Sequence, residues 1–146
     1  MGLCASQQIA GNGLVFYQNL WYYVYVRVFK NTWFARFADR EGITDGELRE
    51  MVNQLEAGKA DANLGGGVYK VRVARSGEGK SGGYRAIVFF RSEDKTFYVY
   101  GFAKSDRDNI DEGELRNFKK DAKYHLSLTD EQIEDRKRKG TTIEIL

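Results

Sequence analysis

Residues 75–83, RSGEGKSGG, contain the run GEGKS, which resembles the end of a phosphate-binding loop. Such a loop needs the pattern G-x-x-x-x-G-K-[ST] between a buried strand and a helix, because the amides at the helix N-terminus bind the phosphates. Counting back five residues from Gly79 gives Ala74, and the run continues into GGYRAIVFF, which has strand composition. The sequence therefore argues against a nucleotide site. It predicts a hairpin loop carrying Arg75 and Lys80, for which a solvated turn without a role is the alternative.

The cations that flank this loop are spaced to share one face of a sheet. In VYKVRVAR, Lys70 and Arg72 alternate with valines, so one face of the strand is basic and the other apolar. Arg85 lies in the next predicted strand, and Lys104 and Arg107 follow the third. Residues 68–107 hold nine Lys and Arg against four Asp and Glu. Cations on adjacent strands form a surface suited to a phosphate backbone, and a solvated charged patch is the alternative.

Aromatic residues alternate along the third predicted strand. Tyr98, Tyr100 and Phe102 would stack on nucleic-acid bases if they shared the basic face. A place in the hydrophobic core is the commoner role of such residues. The sequence leaves both interpretations open.

Composition restricts the remaining chemistry. The 146 residues are 42% hydrophobic, which is enough for one domain with a real core. The single Cys4 cannot form an internal disulfide, and with the single His125 it excludes every Cys/His zinc arrangement, so we expect no metal and a reducing cytoplasm. No apolar run is long enough for a membrane span. MGLCAS matches an N-myristoylation pattern, but an early start codon explains the first residues more simply.

Two helices and four strands are predicted to position the cations. A first strand is expected over residues 23–29, YVYVRVF. A helix should begin at Asn31 or Thr32 and stop at Gly42, and a second should begin at Thr44 with a capping box. VYKVRVA, YRAIVFF and TFYVYGFA then read as an antiparallel meander.

Two more helices are predicted after the meander. DEGELRNFKKDAKYHL forms the first, and TDEQIEDRKRKG begins the second with a capping box at Thr129 and Gln132. TTIEIL closes the chain as a short strand. We therefore predict an α+β domain, with helices packed on one face of a twisted antiparallel sheet of about four to five strands.

Three phrases carry a resemblance to a known family. VYKVRV, the GGYR that begins the next strand, and VYGFAKSDRDNI at the end of the third strand resemble the RelE/ParE superfamily of bacterial toxins, most closely its HigB-like branch. The similarity covers about four-fifths of the chain and leaves out its start. It implies a RelE-like toxin domain over residues 26–146 and an N-terminal extension over residues 1–25.

The resemblance implies a function as well as a fold. Toxins of the RelE type are ribosome-dependent endoribonucleases that cut mRNA without a metal or other cofactor, and each is held inactive by a cognate antitoxin. In the HigB-like branch the antitoxin is usually a helix-turn-helix protein. The expected partners are therefore an antitoxin, the ribosome and mRNA in the cytoplasm, with no membrane.

Matching the family motifs residue by residue implies catalytic and RNA-binding roles. Lys70 and Arg72 match two catalytic basic positions, Arg85 matches the ligand of the transition-state phosphate, and Lys104 falls in the basic cluster after the last strand. RNA binding is expected from Arg107, Tyr100, Arg75 and Lys80.

The family's C-terminal tyrosine has no counterpart, because Asn109, Ile110 and Asp111 stand in its neighbourhood. Proton transfer then falls to Lys70, Lys104, Asp106 or Asp108, or to a displaced Tyr100. Two other functions stay open on the same fold. One is a ParE-like inhibitor of DNA gyrase, and the other is a module that binds RNA or an antitoxin without cutting.

Overall fold

The computed structural model describes the backbone of residues 8–9, 14–17, 20–23, 26–75 and 79–146, and the side chains of residues 26–73 and 83–146. The predictions on Cys4, on the myristoylation pattern and on the tip of the hairpin at residues 76–78 lie outside the described residues. The described chain forms these elements: β1 Gln8–Ile9, β2 Leu14–Tyr17, β3 Leu20–Tyr23, β4 Arg27–Asn31, α1 Thr32–Glu41, α2 Asp45–Glu56, β5 Ala62–Gly65, β6 Val68–Arg75, β7 Gly79–Arg91, β8 Lys95–Ala103, α3 Glu112–Leu126, α4 Asp130–Arg138 and β9 Thr142–Ile145.

Two sheets are formed. The first three strands pair in the order β1-β2-β3, and the main sheet has six strands in the order β5-β6-β7-β8-β4-β9. The predicted meander is confirmed, since β6, β7 and β8 pair antiparallel. The first predicted strand is shifted to Arg27–Asn31, and it pairs parallel to β8 and antiparallel to β9. The main sheet is thus mixed and larger than predicted, while the α+β class is confirmed.

Helices cover both faces of the main sheet, which corrects the prediction of a single covered face. On one face α1 and α2 bury Phe34 and Leu48 against the sheet. On the other face, which we call the α3 face, α3 and α4 bury Leu126 and Ile133. The physical reason is visible in β7, where residues 84–90 are all buried. A continuous buried run, rather than an alternating one, is typical of a strand covered on both faces.

The predicted helix starts are confirmed by their caps. The Asn31 side chain accepts a hydrogen bond from the amide of Phe34, and Gly42 ends α1 in the left-handed conformation at φ 71°. Thr44 and Thr129 each form the expected capping box at the start of α2 and α4. Asp111 forms a further capping box at the start of α3. A side-chain acceptor at each N-cap satisfies amides that the helix leaves unpaired.

One buried hydroxyl lacks a partner in the core beneath α1 and α2. Thr96 lies on β8 between Val28 and Phe90, is completely buried, and its Oγ1 has no hydrogen-bond partner among the described residues. Thr96→Val keeps the shape and removes the cost of desolvating that hydroxyl. We expect it to raise the free energy of unfolding by about 1 kcal/mol. Chemical denaturation of both proteins checks this, and a Val variant no more stable than the wild type would contradict it.

In the part of the chain that the structure describes, no helix is long and apolar enough to cross a membrane.

Candidate active site

Two cross-strand rows bring the predicted cations onto the α3 face. Arg72 lies opposite Arg85, which lies opposite Phe102. Lys70 is in the neighbouring row, which continues through Ile87 to Tyr100 on β8. Because opposed residues of antiparallel strands project to the same side, these side chains share one surface. Lys70, Arg72 and Arg85 are therefore brought together, as the sequence predicted.

A carboxylate stands at the centre of these three cations. Asp61 Oδ1 accepts a hydrogen bond of 2.8 Å from Arg72 Nε. Its Oδ2 lies 3.7 Å from Lys70 Nζ and 3.5 Å from Arg85 Nε. The Asp61 side chain is only 15% exposed. We call Lys70, Arg72 and Arg85 the cation triad, and Asp61 is its carboxylate.

Asp61 was not predicted from the sequence. It lies outside the basic block, immediately before β5. The antiparallel pairing of β5 with β6 sets Ala62 opposite Lys70 and so carries Asp61 to the triad. The only signal was its place one residue before a strand that would pair with VYKVRV.

Arg85 is the most buried member of the triad. The residue is 5% exposed, and its Nη1 is buried without a hydrogen-bond partner among the residues that the structure describes. A guanidinium has five N–H donors, and a buried donor left unpaired is costly. The arrangement therefore leaves one donor nitrogen of Arg85 without a partner among the described residues.

A β-bulge separates the aromatic residues of β8. Ile87 lies opposite Tyr100 but Val88 lies opposite Tyr98, so Val99 is an extra residue in β8. The extra residue breaks the alternation, and Tyr98 and Tyr100 fall on opposite faces. Tyr98 is buried under α2 and its hydroxyl donates to the carbonyl of Leu48, so it belongs to the core. Burial raises the pKa of Tyr98 well above its usual value.

Tyr100 lies on the α3 face with Arg107. Arg107 Nη1 donates to the Tyr100 hydroxyl at 3.2 Å, and its guanidinium lies 5.6 Å from the ring centre of Phe102. Glu114 of α3 accepts two hydrogen bonds from Arg107, of 2.6 and 3.1 Å. The hydrogen bond from Arg107 lowers the pKa of Glu114 to about 2. Tyr100 and Arg107 are thus brought together, but Arg107 is held by a carboxylate.

Trp33 extends this aromatic surface and was assigned only to a helix by the sequence. It lies in the first turn of α1, stacks on Tyr100 at 4.7 Å between ring centres, and is 43% exposed. The Asn31 side chain donates to the carbonyl of Val99, which fixes the start of α1 beside the bulge. Trp33 and Tyr100 form what we call the aromatic platform.

Other predicted residues are not brought into the triad. Lys104 is exposed beyond the end of β8, and its backbone amide donates to Gly83 at 3.5 Å. The side chains of Arg75 and Lys80 lie outside the described residues. Asp106 and Asp108 are exposed, and Asp111 caps α3. Asp111, which stands near the position of the missing tyrosine, thus has a structural role as the N-cap of α3.

A pocket of about 290 Å³ opens beside the triad. Asp61 and Arg72 form one side of it, and Met51, Gln54, Lys59 and Ala60 complete its lining. Within the described ranges, no group of three or more His, Cys, Asp or Glu side chains is placed to hold a metal ion.

These features define a class of protein. A mixed sheet covered on both faces carries a cluster of strand cations, with one buried arginine that is incompletely paired among the described residues, and such a cluster of donors is suited to an anion. Residues 26–145 match the family model described as the RelE toxin of the RelE / RelB toxin-antitoxin system. No curated protein matches the chain.

The chain belongs to the RelE toxin family. It is thus a member of the RelE superfamily of toxins of toxin-antitoxin systems, as the sequence motifs predicted, and the family implies an antitoxin as its partner.

Proposed function

We propose that this protein is a metal-independent endoribonuclease that cuts mRNA on the ribosome and so inhibits translation. The observation that carries the proposal is the convergence of Lys70, Arg72 and Arg85 around one carboxylate, with Arg85 Nη1 buried and unpaired among the described residues. Three cations that already lie together suit a phosphate whose charge grows during reaction.

The chemistry proposed for the site is attack of an RNA 2′-hydroxyl on the adjacent phosphate. The products are a 2′,3′-cyclic phosphate and a free 5′-hydroxyl. Arg85 is the proposed ligand of the phosphate, and Lys70 and Arg72 neutralise charge on its non-bridging oxygens. Arg72 and Arg85 stabilise charge but accept no proton, since a guanidinium stays protonated at any accessible pH. The substrate supplies the nucleophile, so the proposed reaction needs no metal or organic cofactor.

RNA binding is assigned to the surface that surrounds the triad. Arg107 lies 5.6 Å from the ring centre of Phe102, which is opposite Arg85, and Tyr100 lies in the neighbouring row of Lys70 on the same α3 face. The loop cations Arg75 and Lys80 stay predicted contacts to the RNA backbone, since β6 and β7 place them on either side of the hairpin tip. Lys104, which is exposed beyond the end of β8, stays a predicted catalytic cation.

The aromatic platform is proposed to stack on an RNA base. Stacking on an aromatic side chain is worth about 1–3 kcal/mol per base, so Trp33→Ala should weaken RNA binding about tenfold or more. We expect KM for ribosome-bound mRNA to rise with little change in kcat. Tyr124→Ala is the matched control, because Tyr124 is 54% exposed on α3 and contacts none of the triad. Equal KM values for the Trp33 and Tyr124 variants would contradict the assignment.

The partners follow from the same proposal. The ribosome and mRNA are the proposed targets in the cytoplasm, and a helix-turn-helix antitoxin of the HigB-associated type is the proposed inhibitor. An antitoxin that presents acidic side chains would complement the basic face.

Inducible expression in bacterial cells, followed by mapping of mRNA 5′ ends, tests the function. We expect new 5′ ends clustered inside translated codons, and their loss in Arg85→Ala. Growth arrest with intact mRNA and gyrase-dependent DNA breaks would support a ParE-like inhibitor instead. Antitoxin binding without either effect would indicate a non-catalytic module.

A further inference from the structure

We infer that Asp61 is the general base of the proposed reaction, the group that takes the proton from the attacking 2′-hydroxyl. This inference rests on the proposed function and deepens it. Asp61 is the carboxylate that ion-pairs with all three cations of the triad, at 2.8 Å from Arg72, 3.5 Å from Arg85 and 3.7 Å from Lys70. Neither the family motifs nor the sequence pattern assigned it a role.

The two oxygens of Asp61 are held differently. Oδ1 accepts a 2.8 Å hydrogen bond from Arg72 Nε, which fixes the carboxylate. Oδ2 has only ion pairs of 3.5 and 3.7 Å among the described contacts, longer than good hydrogen bonds. A carboxylate has about four acceptor positions, so Oδ2 retains the capacity to accept a proton. One oxygen is therefore anchored and the other is free to react.

Asp61 is also in the right place relative to the phosphate ligand. Arg85 Nε contacts Asp61, while Nη1 of the same planar guanidinium lacks a partner among the described residues. The same planar guanidinium would therefore hold both Asp61 and a phosphate bound at Nη1, and the 2′-hydroxyl that attacks this phosphate is attached to the neighbouring ribose. The pocket that opens beside Asp61 and Arg72 provides room for that ribose.

Other groups near the triad are poorer bases. Arg72 and Arg85 do not deprotonate. Lys70 is a cation that faces Asp61, and the Tyr100 hydroxyl is engaged by Arg107. Asp106 and Asp108 are exposed beyond the end of β8. Among the described groups, Asp61 alone combines a free acceptor oxygen, a fixed position and contact with the phosphate ligand.

The proton and the bonds balance in the step that this assigns. As Asp61 takes the 2′-hydroxyl proton, the 2′-oxygen bonds to phosphorus and the bond from phosphorus to the 5′-oxygen breaks. The leaving 5′-oxygen takes a proton from solvent, and Asp61 returns its own to solvent. The transesterification therefore consumes no water, oxidant or reductant.

A simpler role for Asp61 is to act as a counter-ion that only neutralises the triad. The two roles predict opposite effects of Asp61→Asn, which keeps the shape and the acceptor oxygen but removes the charge and most of the basicity. If Asp61 is the base, Asp61→Asn lowers kcat about 10²–10⁴-fold. If Asp61 is only a counter-ion, Asp61→Asn leaves the triad more cationic, so RNA binds more tightly and kcat is maintained.

The experiment is single-turnover cleavage of a defined mRNA by the full chain on stalled ribosomes, across a range of pH. The variants are Asp61→Asn and Asp61→Glu, with Asp121→Asn as the control, since Asp121 is an exposed carboxylate on α3. We expect kcat to fall by at least 100-fold in Asp61→Asn, to be partly restored in Asp61→Glu, and to be unchanged in Asp121→Asn. The decline of the wild-type rate in acid should disappear in Asp61→Asn.

The charged groups that face Asp61 are Lys70 and Arg72 of β6 and Arg85 of β7, and Lys59 lines the same pocket. None of these is a carboxylic acid, so we assign to Asp61 any decline of the rate in acid that the wild type shows and Asp61→Asn lacks. Thermal unfolding of each variant separates loss of folding from loss of the base, because the rate is compared only at temperatures where both are folded.

Two failures are distinguishable. Cleavage by the wild type and by Asp61→Asn at rates within threefold, or an unchanged acid limb, would overturn the role of Asp61 alone. No cleavage by the wild type would overturn the proposed function and the role of Asp61 with it.

Discussion

Arg85→Ala is expected to lower the rate of mRNA cleavage by about 10³-fold, because removal of one preorganised ligand of a developing negative charge costs about 10²–10³-fold and this ligand is the most buried of the three. Its Nη1 is buried without a partner among the described residues, so the site is already desolvated around the donor. Charge stabilisation by such a group is far stronger than at an exposed site. The measurement is the single-turnover rate constant on ribosome-bound mRNA.

Arg85→Lys separates charge from geometry. Lysine keeps the positive charge but presents a single ammonium, so it cannot contact Asp61 and a phosphate from two nitrogens of one plane. We expect it to restore only a small part of the lost rate. Arg116→Ala is the control, since Arg116 is exposed on α3, and it should match the wild type. A rate for Arg85→Ala within tenfold of the wild type would contradict the role of Arg85.

Glu144→Ala is expected to lower the free energy of unfolding by about 3 kcal/mol, because it leaves a partly buried arginine without its main partner. Glu144 of β9 is 7% exposed and accepts two hydrogen bonds of 2.9 Å from Arg27 of β4. Lys137 of α4 donates a further one at 2.7 Å. These bonds tie the edge strand β9 and α4 to the main sheet. Urea denaturation at neutral pH measures the loss.

The same carboxylate gives the fold a defined response to acid. The hydrogen bond from Arg27 lowers the pKa of Glu144 to about 2, below its value in the unfolded chain. The folded state therefore binds the proton less tightly, and the stabilisation is complete above about pH 4.5 and is lost as the pH falls toward 2. Glu144→Gln should flatten this part of the stability curve. Glu112→Gln, at an exposed position of α3, is the control, and equal acid sensitivity of both variants would contradict the assignment.

Local sequence signals predicted the helices and the meander well. The caps at Asn31, Thr44 and Thr129 depend on residues within one turn of the helix they start, so the sequence carries them directly. The parallel pairing of β4 with β8 depends on contacts between distant segments and has no local signal. The double coverage of the sheet did have one, the apolar run of residues 86–90 in β7, which was interpreted only as a strand of the meander.

The site was predictable in its cations and not in its carboxylate. Lys70, Arg72 and Arg85 follow from strand alternation and from the family motifs, and strand pairing brings them together. Asp61 enters through the pairing of β5, a four-residue strand with a register shift, which no periodicity predicts. The aromatic platform depends on the bulge at Val99, and a single extra residue there decides which tyrosine lies on the α3 face.

In the proposed reaction the triad promotes attack by the substrate's own 2′-hydroxyl. The most direct measurement uses two ribosome-bound mRNAs that are identical except for one 2′-deoxy substitution at the nucleotide 5′ of the cut. We expect cleavage of the all-ribose mRNA with a 5′-hydroxyl on the downstream product, and no cleavage of the substituted mRNA at that position. Cleavage of the substituted mRNA, or a downstream product bearing a 5′-phosphate, would show attack by water and contradict it.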